Sequence, residues 1–286
     1  MRVAFATCDF FPDGWDDDRA TAQLLGAEFR SWSDPSVAWE QYDRVVLRSV
    51  FDYPGRLNAF LAWSRRVGDE RLRNTPSFVG FNADKRYLSE LRAPTVPTTF
   101  VAAGEPLPML AGEVVVKPAV SAGARDTGRF SPSTHDRALA LIERIRSRGG
   151  TAIVQPYLPA VEDGETSLVY LGGTLSHILR KGPVLDADEV APVATDGVGA
   201  QLGIAQAMLN EQLVQAGRAS PAEQAVGAAV VAELSERFGT PVFLRIDLLR
   251  DASGPLVLEV EGLDAALYLD TAPGAPEAFA AAVLAS

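Results

Sequence analysis

Two rhythms of hydrophobic and polar positions organise the first third of the chain. Val3-Ala-Phe-Ala-Thr7 and Arg44-Val-Val-Leu47 are short apolar runs ending in polar residues, the pattern of buried strands. Asp17 to Gly26 predicts a helix, and Leu57 to Val67 carries apolar residues at helical spacing. Strands alternating with helices predict a parallel sheet covered by helices, with ligands bound beyond the strand C-termini. Two loops sit there, Cys8 to Asp18 and Arg48 to Tyr53.

A further helix is predicted over Lys85 to Leu91, capped by Asn82 or Asp84. The proline-spaced stretch Pro94 to Pro108 cannot be one regular element and reads as a linker plus an edge strand. Val114 to Pro118 is a strand, Ser121 to Gly128 a small-residue loop, Asp136 to Arg148 a helix and Thr151 to Val154 another strand. The last third changes style. Glu165 to Leu171 and Gly173 to Leu179 predict a hairpin pivoting on Gly172-Gly173, and Val184 to about Gln201 reads as a loop. A long helix follows over Pro221 to Phe238. Strands Pro241 to Leu249 and Leu256 to Val260 flank a turn at Asp251 to Gly254, and an Ala-rich helix begins at Pro276. The fold class is therefore α/β with additional α+β lobes.

Composition narrows the chemistry. Among 286 residues, 26 Lys and Arg stand against 37 Asp and Glu, a net charge of −11, so no general attraction to nucleic acid or anionic lipid is expected. The single cysteine, Cys8, excludes an intrachain disulfide and a multi-cysteine zinc site. Two histidines, His135 and His177, argue against a histidine-based metal centre but leave an all-oxygen Mg²⁺ site open. No signal peptide and no window of ~20 apolar residues is evident, so a cytoplasmic protein without membrane association is expected.

The sharpest local feature is a strand pair. Arg245 and Asp247 share one face of a strand, and Glu259 and Glu261 share one face of the next. Three converging carboxylates are costly without a cation. Mg²⁺ supplies one reading, and a sheet face on which Arg245 pairs the acids supplies the other. Lys117 ends a buried strand before a loop in which Gly123 and Gly128 would let backbone N–H groups approach a phosphate. A plain β-turn beside an edge lysine explains the same residues. The glycine spacing matches a Walker loop, but Arg129-Phe130 replaces its Lys-Ser/Thr. Ile153 to Leu158 breaks at Pro156 into a loop with Glu162, Asp163 and Glu165, either a purine-contacting hinge or an ordinary strand end. Cys8 reads as a packed thiol, both histidines as structural, and Asp16 to Asp18 as a helix N-terminus where acids suit the dipole. Gly197, Gly199 and Gly203 miss the dinucleotide spacing.

Taken in order, Lys85, Lys117-Pro118 with its small-residue loop, the hinge at Gln155 to Leu158, Glu165, Asp247 and Glu259-x-Glu261 resemble the ATP-grasp superfamily over nearly the whole chain. Val115 to Gly128, Val154 to Leu158 and Gly164 to Leu168 resemble its glutathione-synthetase-like branch. The resemblance implies an N-terminal α/β domain on the substrate side (1–80), a central lid domain (81–155) and a C-terminal domain with the Mg²⁺ site (156–286). It implies ATP held by Lys85, Lys117, Ser121, Ala122, Gly123, Gln155, Pro156, Tyr157, Leu158 and Glu165. It implies Mg²⁺ on Asp247, Glu259 and Glu261, with Arg245, Arg180 and Lys181 at the reacting phosphate. Many members carry Asn where Glu261 stands, which leaves the number of Mg²⁺ ions open.

The implied activity is ATP-dependent carboxylate–nitrogen ligation through an acyl phosphate. The implied substrate is small and amino-acid-like, and the best match is ring closure within O-ureido-D-serine. Arg48, Ser49, Asp52, Tyr53 and Asp17 are the substrate-side candidates. An intermolecular amino-acid or peptide ligase is the alternative within the class, and a catalytically inactive nucleotide-binding regulator the alternative outside it. The resemblance also allows a homo-oligomer.

Overall fold

The computed structural model describes residues 1–286, the side chain of Glu211 excepted. An N-terminal parallel sheet contains β1 (Val3–Thr7), β2 (Glu28–Ser31), β3 (Arg44–Leu47) and β4 (Leu72–Arg73) in the order β2-β1-β3-β4. Helices α1 (Asp16–Leu25), α2 (Leu57–Val67) and α3 (Pro76–Asn82) belong to this lobe. β2 escapes the periodicity reading because all four of its residues are only half-buried at a sheet edge. A cluster of Trp32, Trp39, Phe60 and Trp63 packs between α2 and the sheet, with Phe60 stacked on Trp63 at 5.5 Å.

The central sheet is antiparallel. It orders β5 (Thr99–Val101), β6 (Val114–Pro118), β7 (Gly128–Phe130) and β8 (Ala152–Pro156) as β5-β8-β6-β7, backed by α4 (His135–Ser147). The proline-spaced segment thus does supply an edge strand. The expected helix over Lys85 to Leu91 is instead a short 3₁₀ stretch, Lys85–Ser89, capped by Asp84. Its first N–H goes to Ala119 O at 2.9 Å, anchoring it to the central sheet.

The C-terminal sheet contains β9 (Glu165–Leu171), β10 (Thr174–Lys181), β11 (Val214–Ala216), β12 (Phe243–Asp251) and β13 (Gly254–Glu261), in the order β11-β10-β9-β12-β13. Gly172 and Gly173 both take positive φ, 56° and 76°, as a tight two-residue hairpin turn requires. The stretch between β10 and β11 is mostly irregular but contains a short helix, α5 (Gly197–Leu202).

Helix α6 (Pro221–Phe238) starts in a capping box made by Ser220 and Glu223, and α7 (Ala275–Ala285) closes the chain. Glu223 also accepts from Thr166 at 2.8 Å and Arg250 at 3.1 Å, so the cap ties α6 to the sheet. Gly227 lets α6 lie close to β9: a Cβ there would stand 2.4 Å from Leu168 and 2.6 Å from the Tyr170 hydroxyl. Gly227→Ala would gain up to about 1 kcal/mol of helix propensity. Overpacking costs about 1–3 kcal/mol, so the variant should be net less stable. A urea unfolding midpoint that falls would bear this out, and one that rises would refute it.

Candidate active site

The central and C-terminal sheets meet α1 and the loops of the N-terminal lobe at one cleft of about 780 Å³. Its floor follows from strand pleating. Glu165, Lys181, Arg245, Asp247, Glu259 and Glu261 all point from one face of the C-terminal sheet into the cleft. The β12–β13 register sets Arg245 opposite Glu261 and Asp247 opposite Glu259, as the alternation predicts. Lys117 and Gln155 come from the central sheet, and Lys85 from the 3₁₀ turn between lobes.

Charges on this floor form a chain of ion pairs. Lys117 Nζ lies 3.7 Å and Lys85 Nζ 3.0 Å from Glu259, which the two lysines hold below the usual carboxylate range against the effect of burial. Asp247 lies 2.6 Å from Lys181 Nζ and 3.0 Å from Arg245 Nε. Burial opposes its ionisation, yet these two cations hold its carboxyl below the usual range. Arg245 also reaches Glu261 at 2.5 Å, and Lys181 reaches Glu165 at 3.1 Å. Burial raises Glu261 to about 7, against the pull of Arg245. Burial lowers Lys117, and neighbouring Lys85 adds to that. Asp264, also in the cleft, is pushed up to about 6 by burial.

Arg245 thus pairs the acids, but on a buried face. Among the described residues, no three acidic or imidazole side chains stand together as a ready ligand set. Asp247, Glu259 and Glu261 nevertheless offer hard oxygen atoms in neighbouring register, the donor chemistry that suits Mg²⁺.

The rest of the cleft is apolar and partly covered. Ser121, Ala122 and Gly123 line it, and Ser121 O and Oγ accept from Lys85 Nζ at 3.1 and 3.3 Å. The β10–β11 segment lies on this loop. Ala205 N donates to Gly123 O at 2.8 Å and Ala191 N to Thr127 O at 2.7 Å, while Val184, Leu185, Met208 and Leu209 face the cleft. Pro156, Tyr157 and Leu158 line the same region. Gln155 also lines it, with its amide donating to Thr98 at 3.0 Å. The Tyr157 ring is already engaged: the Arg129 guanidinium sits 3.5 Å from its centroid, and its hydroxyl donates to Glu162 at 2.6 Å.

Several sequence candidates lie elsewhere. Arg180, next to Lys181, falls on the opposite face of β10 and donates to Thr166 at 2.9 Å. Arg48 is buried, 2.6 Å from Asp18 and 4.9 Å from the Phe243 ring centre, and does not line the cleft. Ser49 donates to Asp18 at 2.7 Å, and Asp52 accepts from Trp32 at 2.7 Å. These side chains are mostly paired inside the N-terminal lobe, as burial demands, although Arg48 Nη1 stays buried without a partner. Tyr53 and Asp17 do line the cleft. The acids at the start of α1 therefore do more than suit its dipole: Asp18 pairs Arg48, and Asp17 accepts three backbone N–H groups of residues 267–269. Sequence reasoning missed Asp264 and Tyr268 as cleft residues, although the strict alternation of Leu263, Ala265, Leu267 and Leu269 around them was a readable signal.

An N-terminal parallel sheet and two antiparallel sheets closing on a lysine-rich cleft define the ATP-grasp architecture. An ATP-grasp RimK domain protein from Sphaerobacter thermophilus shares the fold, with a TM-score of 0.64 at 15% identity over 99% of this chain and all of that one. So does the D-alanine–D-alanine ligase of Bacillus anthracis complexed with ATP, with a TM-score of 0.61 at 13% identity over 100% and 96% of the two chains. A much nearer likeness is the crystal structure of D-cycloserine synthetase DcsG, with a TM-score of 0.80 at 30% identity over 99% and 98%. The cycloserine biosynthesis protein DcsG of Streptomyces lavendulae is 33% identical over 264 residues, 86% of this chain and 83% of that protein. Residues 3–74 match the family model described as the D-cycloserine synthetase DcsG N-terminal domain. The chain is an ATP-grasp ligase and belongs to the D-cycloserine synthetase DcsG family. Among the described residues, no helix is long and apolar enough to cross a membrane.

Proposed function

We propose that the chain uses ATP to close a ring within O-ureido-D-serine, giving D-cycloserine, ADP and phosphate. The observation that carries this reading is the buried chain of ion pairs, Lys117–Glu259–Lys85 and Lys181–Asp247–Arg245–Glu261, at the charged end of a half-apolar cleft. In this reading the apolar end, with Gln155 to Leu158, receives adenine, and Glu165 receives the ribose. Lys85, Lys117 and the Ser121 to Gly123 loop hold the phosphates. Asp247, Glu259 and Glu261 would hold Mg²⁺, which when bound neutralises phosphate charge. The three sheets support lobes at 1–80, 81–155 and 156–286, and a cytoplasmic setting suits the use of ATP.

A carboxylate is a poor electrophile. Phosphorylating it creates a leaving group, and the lysines offset charge on the transferring phosphoryl. The Ser121 to Gly123 loop and the β10–β11 segment exclude water that would hydrolyse the acyl phosphate. The ureido nitrogen then attacks the acyl carbon and phosphate leaves. That nitrogen carries a carbamoyl group absent from D-cycloserine, so one water must release it as ammonia and carbon dioxide.

The test is coupled ADP and phosphate release with Mg²⁺-ATP, with and without O-ureido-D-serine, while product mass is followed. Release that depends on the substrate and yields D-cycloserine is the expected result. Release only when a second amino acid is added would replace ring closure by intermolecular ligation. ATP binding without turnover of any amino acid would favour a regulator. Absence of ATP binding would overturn the reading.

A further inference from the structure

Residues 262–269 run from the end of β13 across the mouth of the N-terminal lobe in a strictly alternating pattern. Leu263, Ala265, Leu267 and Leu269 are buried, whereas Asp264, Ala266 and Tyr268 are half-buried and line the cleft, which the edge of Leu269 also borders. The segment belongs to no sheet, so its backbone groups need other partners. Gly262 is held at both ends of its peptide, by Asn74 at 2.9 Å and Asn82 at 3.0 Å. Ala266 O accepts from Arg245 at 2.8 Å, and Leu267 O lies 2.7 Å from His177 Nε2.

The last grip comes from another lobe. Asp17, on the first turn of α1, accepts the N–H groups of Leu267 at 2.7 Å, Tyr268 at 3.0 Å and Leu269 at 2.7 Å. Tyr268 has a φ of +51°, in the left-handed region that a tyrosine seldom adopts. Such a conformation persists only where its surroundings over-determine it, and three charge-assisted hydrogen bonds to one carboxylate do so. Tyr268 thus borders the same cleft as Arg245, Lys181 and Glu261, and the charges of the ion-pair chain act on its hydroxyl. Asp264 borders the cleft with Lys85, Glu259 and Tyr53, and the Lys85 charge acts on its carboxyl.

We propose that Asp17 is a positioning residue which clasps residues 267–269 and so fixes a substrate-recognition wall, with Asp264 receiving the ammonium group of an α-amino acid and Tyr268 flanking its carboxylate. The proposal rests on the amino-acid ligase reading above. A zwitterionic substrate fits the wall: its ammonium needs an anion in a half-dry cleft, and its carboxylate belongs beside Arg245 and Lys181. Ala266, between the two, leaves room for a small side chain. The wall is also a joint between lobes, since Asp17 and residues 267–269 lie some 250 positions apart in sequence.

The experiment compares wild-type protein with Asp17→Asn and Asp17→Ala, by amide hydrogen exchange without ligand and by steady-state kinetics. The asparagine variant would turn an N–H₂ toward backbone donors, so exchange across residues 264–270 should rise about tenfold or more, with β1 and β12 unchanged. The KM for O-ureido-D-serine should rise about tenfold or more while that for ATP stays within about twofold. Asp264→Asn, which leaves the clasp intact, should raise the substrate KM without altering exchange. Unchanged exchange in both Asp17 variants overturns the clasp. Faster exchange with an unchanged substrate KM overturns the positioning role. If wild-type enzyme does not turn over O-ureido-D-serine, it is the substrate assignment that has failed, and the exchange comparison still decides the clasp.

Discussion

Asp247→Ala should leave the protein about 3–5 kcal/mol less stable and without measurable turnover. The reason is where its charge sits. Asp247 is 2% exposed and is the link between Lys181 at 2.6 Å and Arg245 at 3.0 Å. Removing it leaves the buried Arg245 and the half-buried Lys181 without their shared anion, with only Glu165 and Glu261 as outlying partners. Glu261 is a poor substitute, because burial already raises it to about 7. At roughly 2–4 °C per kcal/mol for a chain of this size class, melting should fall by about 6–20 °C. Differential scanning calorimetry without ligand checks this. A melting temperature within about 2 °C of wild type would mean that the ion-pair chain carries little of the fold's stability. Asp247→Asn is the milder companion, since it keeps the shape and loses only the charge.

The residues that could be read in advance share one property: their placement follows from pleating. Arg245, Asp247, Glu259 and Glu261 lie on two strands joined by a tight turn, so alternation alone predicts their common face and their pairing. Lys181 and Arg180 show the same rule from the other side. Neighbours on a strand point opposite ways, and only Lys181 reaches the cleft. Loop residues were less legible. Arg48, Ser49 and Asp52 occupy the strand-end loop where α/β sheets usually bind ligands, but long-range contacts with Asp18 and Trp32 consume them. No local pattern announces a partner 30 residues away. Asn82 is similar: a predicted helix cap in sequence, it instead fastens Val260 and Gly262 at 2.8 and 3.0 Å. The fold class was accessible because two periods, one helical and one of strands, succeed one another along the chain. The half-buried edge strand β2 was not, since a strand with no fully buried residue leaves no apolar run to find.

Lys117→Met is expected to separate activity from stability in the direction opposite to Asp247→Ala. Turnover should fall by about 10²–10³-fold, the loss that follows when one preorganised charge at a reacting centre is removed. Stability should change by no more than about 1 kcal/mol. Lys117 is 8% exposed, and its nearest anion, Glu259 at 3.7 Å, keeps the closer Lys85 at 3.0 Å when Lys117 is gone. Burial and the adjacent Lys85 both work against the Lys117 charge, so the folded protein gives up little when a methionine of similar length replaces it. A cation that the fold does not need, held in a cleft at some cost, is one kept for a ligand. Coupled ADP release and thermal melting on the same preparation provide the two readouts. Near-normal turnover would take Lys117 out of the phosphate site, and a large loss of stability would make it structural. Only slow turnover in a protein that melts like wild type supports a lysine held in readiness for the transferring phosphoryl group.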